Sequence, residues 1–598
     1  MQSGLWSRSG PVSLVDVSIK GRIVDFTGEV VVRQKYCNKE QNSVDAIFKF
    51  PLELFGALSG FEIVVGGKHI VAEVKNRAET NFQLSVRDDD VDDEEDDASF
   101  LSTEDQPDVF LCNIGVLEPG QEVEFIVTYT TVLALVGDSL RFVIPSSTFS
   151  LKDEYEHSEN ETSPRKKLEI SSEHNLLISL DIEMPSEIQK IESPTHSGIT
   201  LAEQSGNKAT VSFKKGSVKK EGNFVLLIKF QKPHAPYCFV QYDPKTETKA
   251  VMLSFFPEFS LKALPSCEII FLVDCSSSMA GSQLESVKSA LQLLLRSLPA
   301  KAYFNIVLFG STFQKVFPNS VPYDNQSLET ASKYVDEMDA DLGGTEIYEP
   351  LAEVLSSPMI NNLPRQLFVI TDGQVSNSKK IFNLISKHSH NTRVFTFGIG
   401  DRVSHHLVNG MARAGCGEAE FVTGSESLDV KIMRQLKRAL QPALTNVHLD
   451  WGSFQNVTQA PRKLRTIFNG DRLLVYAFLP KDASGEGIVA LKATASEGPV
   501  SFQVTLNANN FKTGNLIPVL AARARIRDLE ENDDEDEEFI RNEVVKLGTT
   551  YGLASSYTSF VAHIPVPEKK ASTDSIKRGF NLHSSMEMPI PSEKSNTD

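Results

Sequence analysis

The sequence is poor in the residues that hold disulfide-rich or zinc-dependent folds together. It has six cysteines in 598 residues, and no two of them have the spacing of a CxxC pair. Such scattered cysteines exclude a disulfide framework and a zinc site built from cysteines. No apolar run reaches the length of about 18 residues that a membrane-spanning helix needs. The sequence therefore predicts a protein that does not insert into a membrane.

Basic residues are in the minority. The chain carries 60 lysines and arginines against 79 aspartates and glutamates, and its net charge is -19. A chain of this charge repels the phosphate backbone, so we do not expect nucleic acid to be a partner. Most of the excess lies in two acidic runs, at 88–97 and 530–538. Neither run has the spacing of an EF-hand loop, so we expect solvated, disordered loops.

The N-terminus lacks the basic residues and the following apolar stretch of a secretory signal. Together with the scattered cysteines, this predicts a cytoplasmic protein, with a nuclear location also open. Secretion is the alternative, which a glycan at Asn160 or a precursor that begins before Met1 would indicate. The sequence does not indicate an oligomeric state.

Strand patterns dominate the first part of the chain. In residues 1–140, segments with alternating apolar and polar residues, or segments rich in Val, Ile and Phe, are separated by Gly and Asn. This pattern predicts a β domain. A polar linker is expected at 141–167. Further strand patterns fill 168–265 and return at 443–510. These two later regions are expected to pair into one composite β-sandwich.

Between these regions, at 266–442, short apolar runs alternate with segments of helical periodicity. A continuous apolar run such as CEIIFLVDC is typical of a strand that is buried on both faces. Strands that alternate with helices predict a doubly wound, mostly parallel α/β sheet. We therefore expect a multidomain protein in which this α/β sheet is flanked by β-sandwich regions.

The C-terminal part combines helical and acidic patterns. Helical periodicity, the second acidic run and a last strand pattern occupy 511–566. The final residues, 567–598, are polar, and we expect them to form a disordered tail.

Oxygen-bearing side chains follow several of the strands in the α/β region. Asp274, Ser276 and Ser278 form a D-x-S-x-S motif after the first strand, Thr345 lies in a glycine-rich loop, and Asp372 follows the strand QLFVIT. The carboxyl ends of parallel strands meet at one edge of a sheet, where ligands bind. Carboxylates and hydroxyls without His or Cys are ligands for Mg²⁺, Ca²⁺ or Mn²⁺ rather than Zn²⁺. The pattern thus predicts a divalent-metal site that remains open to a further acidic ligand.

The serines of this motif admit other interpretations. Neither lies in a G-x-S-x-G elbow, which disfavours a hydrolase, and a glycine-rich phosphate loop is absent after the first strand. Ser278 or Ser282, taken alone, fits a helix cap before QLESVKSAL. We expect Cys275 to be a buried, apolar side chain, with a redox-sensitive thiol as the alternative. The paired histidines at 388, 390, 405 and 406 are expected to be solvated. We therefore expect no enzymatic activity.

With these motifs, 266–442 resembles a von Willebrand factor type A domain (the A domain below) with a metal-ion-dependent adhesion site. The phrases GGTEIYEPL and FVITDGQVSN are similar to those of this family. The resemblance implies that Ser276, Ser278 and Thr345 bind a divalent metal directly or through water, while Asp274 and Asp372 often act through water. It also implies that the metal is Mg²⁺, or Ca²⁺ or Mn²⁺, and that a protein partner presents an acidic residue to it.

Residues 1–140 resemble a vault protein inter-alpha-trypsin (VIT) domain, through PVSLVDVSIKGRIVDFTGEVVVRQKY, AIFKFPL and PDVFLCNIGVLEPGQEVEFIVTYTTVL. VIT and A domains occur together in a family that includes the inter-alpha-trypsin inhibitor heavy chains. The DPHF motif of the heavy chains is absent here, and the phrase YGLASSYTSFVAHIP favours another branch. We therefore expect an intracellular, non-enzymatic protein that binds other proteins. The alternative is a secreted, matrix-associated protein similar to the heavy chains.

Overall fold

A computed structural model describes most of the chain. The described residues are 4–7, 10–51, 57–77, 109–149, 175–215, 222–259, 266–360, 363–373, 378–389, 391–400, 403–422, 428–495, 497–531, 536–562 and 580–584. The acidic run at 88–97 and most of the expected linker lie outside these residues. Within them, no helix is both long enough and apolar enough to cross a membrane.

The chain divides into two compact units. The first contains Met1–His234, Gly514–Ile526 and Glu537–Asp598, and the second contains Ala235–Thr513 and Arg527–Asp536. As far as His234, the described part of the first unit consists mainly of strands, with a short 3-10 helix at Ser146–Thr148. The strands are β1 (Gly4–Ser7), β2 (Gly10–Pro11), β3 (Ser13–Val24), β4 (Thr27–Cys37), β5 (Val44–Pro51), β6 (Ala57–Val65), β7 (Lys68–Val71), β8 (Glu73–Asn76), β9 (Val109–Leu117), β10 (Glu122–Val132), β11 (Ala134–Val136), β12 (Ser139–Ile144), β13 (Asn175–Glu183), β14 (Ile188–Glu192), β15 (Thr200–Ser205), β16 (Lys208–Lys215) and β17 (Phe224–Phe230).

The second unit contains strands and helices. Its strands are β18 (Tyr237–Asp243), β19 (Thr248–Phe255), β20 (Glu268–Asp274), β21 (Tyr303–Phe309), β22 (Phe313–Lys315), β23 (Val321–Pro322), β24 (Arg365–Thr371), β25 (Thr392–Ile399), β26 (Ala419–Val422), β27 (Ala443–Asp450), β28 (Thr458–Ala460), β29 (Ile467–Phe468), β30 (Leu473–Leu479), β31 (Glu486–Ala495), β32 (Gly498–Asn507) and β33 (Lys512–Thr513). Its helices are α1 (Ser282–Arg296), α2 (Asn325–Asp336), α3 (Tyr348–Ser356), α4 (Ser378–His388), α5 (His405–Ala414) and α6 (Leu428–Ala439).

Helices and short strands follow toward the C-terminus. They are α7 (Leu516–Glu531), α8 (Glu537–Tyr551), β34 (Thr558–Ala562) and β35 (Phe580–Ser584). The first unit thereby acquires a seven-stranded sheet of order β2-β1-β5-β9-β35-β34-β8, beside an eight-stranded sheet of order β15-β16-β13-β3-β4-β10-β6-β7 and a four-stranded sheet of order β11-β12-β17-β14.

An aromatic cluster joins the two larger sheets of the first unit. Phe48 of β5 and Phe125 of β10 stack with ring centroids 4.0 Å apart, and the rings of Tyr36 and Phe61 pack against Phe125 at 6.0 and 6.1 Å. Each such pair is worth about 0.5–1.5 kcal/mol beyond the area that it buries. The aromatic residues of the N-terminal strand patterns therefore belong to the core of this unit, together with buried aliphatic residues such as Ile19 and Val32.

The α/β sheet of the second unit has the order β22-β21-β20-β24-β25-β26, and β23 also pairs with β21, antiparallel to it. The strands from β21 to β26 in this order are parallel, and β22 is antiparallel. Successive residues of β20 alternate between two cores, one under α1, α2 and α6 and the other under α3, α4 and α5. This is the doubly wound α/β fold that the sequence predicts.

The remaining strands of the second unit share one core of their own. They form a sheet of order β28-β30-β19-β18-β33 and another of order β29-β27-β31-β32, with apolar side chains from both sheets in one cluster. Val251 of β19 lies opposite Ala477 of β30 in an antiparallel ladder. Strands from before and after the A domain therefore pair directly.

The β region expected at 168–265 is divided between the two units. Its strands β13–β17 belong to the first unit, where β13 runs parallel to β3 with Asp181 opposite Arg22, and β18 and β19 belong to the second. Pairing between distant strands depends on register and burial rather than on sequence proximity. The linker expected at 141–167 begins inside ordered structure, because β12 extends to Ile144. A sandwich arrangement of the flanking sheets stays a prediction.

Two expectations for the C-terminal part are corrected. Residues Phe580–Ser584 of the expected disordered tail form β35, which pairs with β9 and β34. Parts of the acidic run at 530–538 are helical, since α7 extends to Glu531 and Glu537 begins α8. Acidic side chains in the first turn of a helix are favourable because they face the positive end of the helix dipole.

Candidate functional site

The candidate site lies at the carboxyl edge of the α/β sheet. β20 is flanked by β21 on one side and by β24 on the other. The chain passes from β20 to β21 on one side and later reaches β24 on the other. The strand order thus reverses at β20, which opens a crevice at the carboxyl ends of these strands. Asp274 is the last residue of β20, and Asp372 directly follows β24. The sheet topology places both carboxylates at this crevice.

Both carboxylate oxygens of Asp274 accept hydrogen bonds from protein donors. The backbone N–H of Ser276 donates to Oδ1 at 2.9 Å, and the Thr371 hydroxyl donates to Oδ2 at 2.6 Å. The Thr371 hydroxyl in turn accepts from the backbone N–H of Gly373 at 3.0 Å. Asp274 is completely buried. Its carboxylate is therefore held in one orientation beneath the serines.

The two serines and Asp372 form a continuous row of oxygen atoms. Oγ of Ser276 lies 3.0 Å from Oγ of Ser278, and the Ser278 hydroxyl donates to Oδ1 of Asp372 at 2.8 Å. The loop after β20 and the end of β24 are thus connected through side chains. The row presents neutral and negative oxygens from two different strands at one place.

Backbone hydrogen bonds place the loop of Thr345 beside this row. The N–H of Ser277 donates to the carbonyl of Gly343 at 2.8 Å, and the N–H of Leu342 donates to the carbonyl of Cys275 at 3.1 Å. A Cβ atom at Gly373 would come within 2.6 Å of the Thr345 methyl carbon and 3.1 Å of its hydroxyl oxygen. A glycine at 373 therefore allows Thr345 to approach the residue next to Asp372.

Burial raises the pKa of both carboxyl groups. For Asp274, the hydrogen bonds from Ser276 and Thr371 oppose this effect. For Asp372, burial raises the pKa first, the charge of Asp274 raises it further, and the hydrogen bond from Ser278 opposes both. Two ionised carboxylates in this crevice are consequently unfavourable without a cation. A bound cation would lower the cost of ionising both carboxylates here.

The oxygen spacing fits a small, hard cation. Mg²⁺ binds oxygens at about 2.0–2.1 Å in octahedral geometry, so its adjacent ligand oxygens lie about 2.9 Å apart. The separations of 3.0 Å between the serine hydroxyls and 2.8 Å from Ser278 to Asp372 are compatible with this value and are also the usual length of an O–H···O hydrogen bond. The described part of the chain contains no cluster of three or more His, Cys, Asp or Glu side chains suited to a metal. A site here therefore depends on hydroxyl oxygens.

The structure brings all five expected residues to one sheet edge, but the sequence did not reveal two residues that support them. Thr371 holds Asp274, and the side chain of Gln283, in the first turn of α1, reaches Asp372. The position of Thr371 directly before Asp372 was a usable signal. For Gln283 the available signal was its place in the helix that follows the D-x-S-x-S loop.

Two other expectations concern single residues near the site. Cys275 is completely buried in the core under α1, and burial raises the pKa of its thiol to about 12, as expected for an apolar role. His405 was expected to be solvated, but it is half-buried and stacks on Phe421 with ring centroids 4.0 Å apart. The aromatic partner comes from β26, which is close in space but distant in sequence.

Family models match both parts of the chain. The model of the von Willebrand factor type A domain matches residues 267–421, and the model of the vault protein inter-alpha-trypsin domain matches residues 14–129. These matches confirm the resemblance found in the sequence.

Similar proteins match most of the chain. A von Willebrand factor A domain-containing protein of Dictyostelium discoideum is 35% identical over 94% of this chain and 31% of its own length. Von Willebrand factor A domain-containing protein 5A of Rattus norvegicus is 33% identical over 92% of this chain and 70% of its own length. The chain thus spans less than a third of the first relative. A solved structure of a von Willebrand factor type A protein from Catenulispora acidiphila has a TM-score of 0.36 and 15% identity, and covers 53% of this chain and 86% of that chain.

Proposed function

Because the chain belongs to the family of von Willebrand factor A domain-containing proteins that carry a VIT domain, we propose that it is a non-enzymatic protein that binds a protein partner through its A domain. The observation that supports this function best is the row of oxygens formed by Ser276, Ser278 and Asp372. This row lies at the sheet edge where doubly wound folds bind ligands.

In the proposed site, Ser276, Ser278 and Thr345 offer hydroxyl oxygens to a divalent metal, and Asp274 and Asp372 offer negative charge. Mg²⁺ is the proposed metal, with Ca²⁺ or Mn²⁺ as alternatives, since each prefers oxygen ligands. When bound, the metal supplies a positive charge that attracts an acidic side chain of the partner.

The hydrogen bonds of Asp274 and Asp372 suggest a different role for each carboxylate. Both oxygens of Asp274 accept bonds from Ser276 and Thr371, so this residue orients the serine loop. Asp372 lies in the row with the serines and is only half-buried. A single carboxylate next to the metal leaves its charge incompletely neutralised. The proposed site therefore retains attraction for one further carboxylate, which the partner supplies.

We propose a cytoplasmic location, with the nucleus also possible. All six cysteines are unpaired thiols, which supports a reducing compartment. A secreted, matrix-associated protein similar to the inter-alpha-trypsin inhibitor heavy chains is the second candidate, supported by the VIT domain match. Expression of the full chain in cultured cells separates the two, because glycosylated protein in the medium would favour the second candidate.

Partner capture with and without metal tests the proposed function. Immobilised full chain is incubated with cell lysate in Mg²⁺ or in EDTA, and Asp372→Ala is compared with Glu337→Ala, a change of an exposed carboxylate on the same domain. We expect capture by wild type and Glu337→Ala in Mg²⁺, and loss of capture in EDTA or with Asp372→Ala. Capture that persists in EDTA would overturn the proposed role of the metal.

A further inference from the structure

Gln283 makes a bridge between two parts of the candidate site. The Gln283 carboxamide lies next to the carbonyl oxygen of Ser278 and Oδ2 of Asp372, both of which only accept hydrogen bonds. We therefore assign the amide so that its nitrogen faces both oxygens, and in this orientation it donates at 3.1 Å to the Ser278 carbonyl and at 3.0 Å to Oδ2 of Asp372. Gln283 connects the loop after β20 to the end of β24 by a route separate from the serine hydroxyls.

This bridge completes the hydrogen bonding of the Asp372 carboxylate. Oδ1 accepts from the Ser278 hydroxyl at 2.8 Å, and Oδ2 accepts from the Gln283 amide at 3.0 Å. Two donors on different oxygens fix the plane of the carboxylate as well as its position. Because both donors are neutral, they orient the group without cancelling its charge.

A third loop leaves room for the Gln283 side chain. Gly400, which follows β25, has a φ of 88°, and a Cβ atom at this position would lie 2.5 Å from the end of the Gln283 carboxamide. A side chain at position 400 would therefore displace the carboxamide from Asp372. Three strand ends, those of β20, β24 and β25, thus converge on Gln283.

We propose that Gln283 is a positioning residue of the divalent-metal site, which holds the Asp372 carboxylate in the orientation that binds the metal. This inference rests on the proposed function. It also explains why a neutral amide suits this position. A lysine at position 283 would form an ion pair with Asp372 and repel the metal cation. A glutamate would repel the Asp372 carboxylate.

Metal titration of the full chain tests the proposal. Mg²⁺ and Mn²⁺ binding to wild type, Gln283→Ala and Gln283→Lys is measured by calorimetry, and melting temperatures are measured in EDTA. Gln292→Ala is the matched control, because Gln292 lies on the same helix and also donates to a carbonyl and a carboxylate, those of Ser332 and Asp336, each at 2.8 Å.

We expect Gln283→Ala to weaken metal affinity about tenfold to a hundredfold, the usual effect of removing a residue that orients a metal ligand. Gln283→Lys should weaken it further, and Gln292→Ala should leave it unchanged. The melting temperatures of Gln283→Ala and Gln292→Ala in EDTA should be similar, which excludes unfolding as the cause.

The outcomes distinguish a failure of the metal site from a failure of the positioning role of Gln283. Wild type that binds Mg²⁺ while Gln283→Ala binds it with equal affinity overturns the positioning role and leaves the metal site intact. Wild type that binds neither metal overturns the metal site and the role of Gln283 together. Equal weakening by Gln283→Ala and Gln292→Ala would show a general effect of helix α1 and would also overturn the positioning role.

Discussion

The hydroxyl of Thr371 donates a hydrogen bond of 2.6 Å to Oδ2 of Asp274, across the boundary between β24 and β20. Thr371 directly precedes Asp372. Through this bond it orients Asp274, the other carboxylate of the candidate site. Asp274 is completely buried, so the bond also compensates for part of the water that its carboxylate loses on folding.

Thr371→Val should therefore destabilise the A domain by about 1–3 kcal/mol, the usual cost of a buried polar group that loses its partner. The variant should also bind Mg²⁺ more weakly, because Asp274 is less firmly oriented. Thermal unfolding with and without Mg²⁺ measures both effects. Thr396→Val is the control. Thr396 lies on the neighbouring strand β25, and its buried hydroxyl donates to the Val408 carbonyl of α5 at 2.8 Å. An equal loss of metal response in both variants would contradict the prediction.

The candidate metal ligands should differ in their effects on stabilisation by Mg²⁺. A hundredfold excess of Mg²⁺ over its dissociation constant should stabilise wild type by about 2.7 kcal/mol. Asp274→Ala and Asp372→Ala should lose almost all of this gain, because they remove charge. Thr345→Ala should retain part of it, since water can replace one neutral ligand. Equal thermal shifts for wild type and Asp372→Ala in a Mg²⁺ titration would refute the assignment of these ligands.

A buried ion pair at the other end of the same strands should matter for stability and not for metal binding. Arg365 begins β24 and donates through Nε to Oε2 of Glu268 at 2.8 Å, with the two side chains 1% and 3% exposed. Arg365→Met leaves the Glu268 charge buried without this partner and should cost about 3–5 kcal/mol.

The double variant Glu268→Leu with Arg365→Met should recover much of this loss, because it removes both charges. Chemical denaturation of the two single variants and the double variant provides the measurement. A double variant as unstable as the sum of the two single variants would show that the pair is not coupled.

His405 should make the stability of the A domain depend on pH. Burial against Phe421 lowers the pKa of His405 in the folded state. The unfolded chain then binds the proton more readily, with a pKa near 6.5, so stability should fall as the pH drops below about 6.5. Melting temperatures between pH 5 and 8 should show a smaller decrease for His405→Phe than for wild type. His69→Gln, a change of an exposed histidine in β7, should retain the wild-type decrease.

The α/β sheet was predictable because its strands and helices have distinct local patterns. β20 and β24 are buried along their whole length and each contains a continuous apolar run, IIFLV in β20 and LFVI in β24, whereas α1 shows helical spacing. The parallel pairing of β13 with β3 was not predictable in this way. These strands are separated by more than a hundred residues, and their register depends on shared burial rather than on any local pattern.

In the candidate site, too, some residues have a local signal in the sequence and others depend on the fold. The oxygen-bearing residues Asp274, Ser276 and Asp372 were predictable because they lie at the ends of buried strands. Asp274 ends β20, Ser276 lies two residues after it, and Asp372 directly follows β24. Gln283 was not, since its role depends on the distance of its amide to Asp372 and on the space left by Gly400. Metal binding by the five expected residues stays a prediction that the titrations above address.

The pairing of β34 with β8 affects the order in which the chain can fold during synthesis on the ribosome. Phe560 of β34 lies opposite Val74 of β8, so the seven-stranded sheet of the first unit lacks two neighbouring strands until residues near 584 have been made. The strands of the α/β sheet all lie between Glu268 and Val422. Because domains generally fold as units while the ribosome elongates the chain, the α/β sheet is complete first. The N-terminal strands, although made earliest, finish their seven-stranded sheet last.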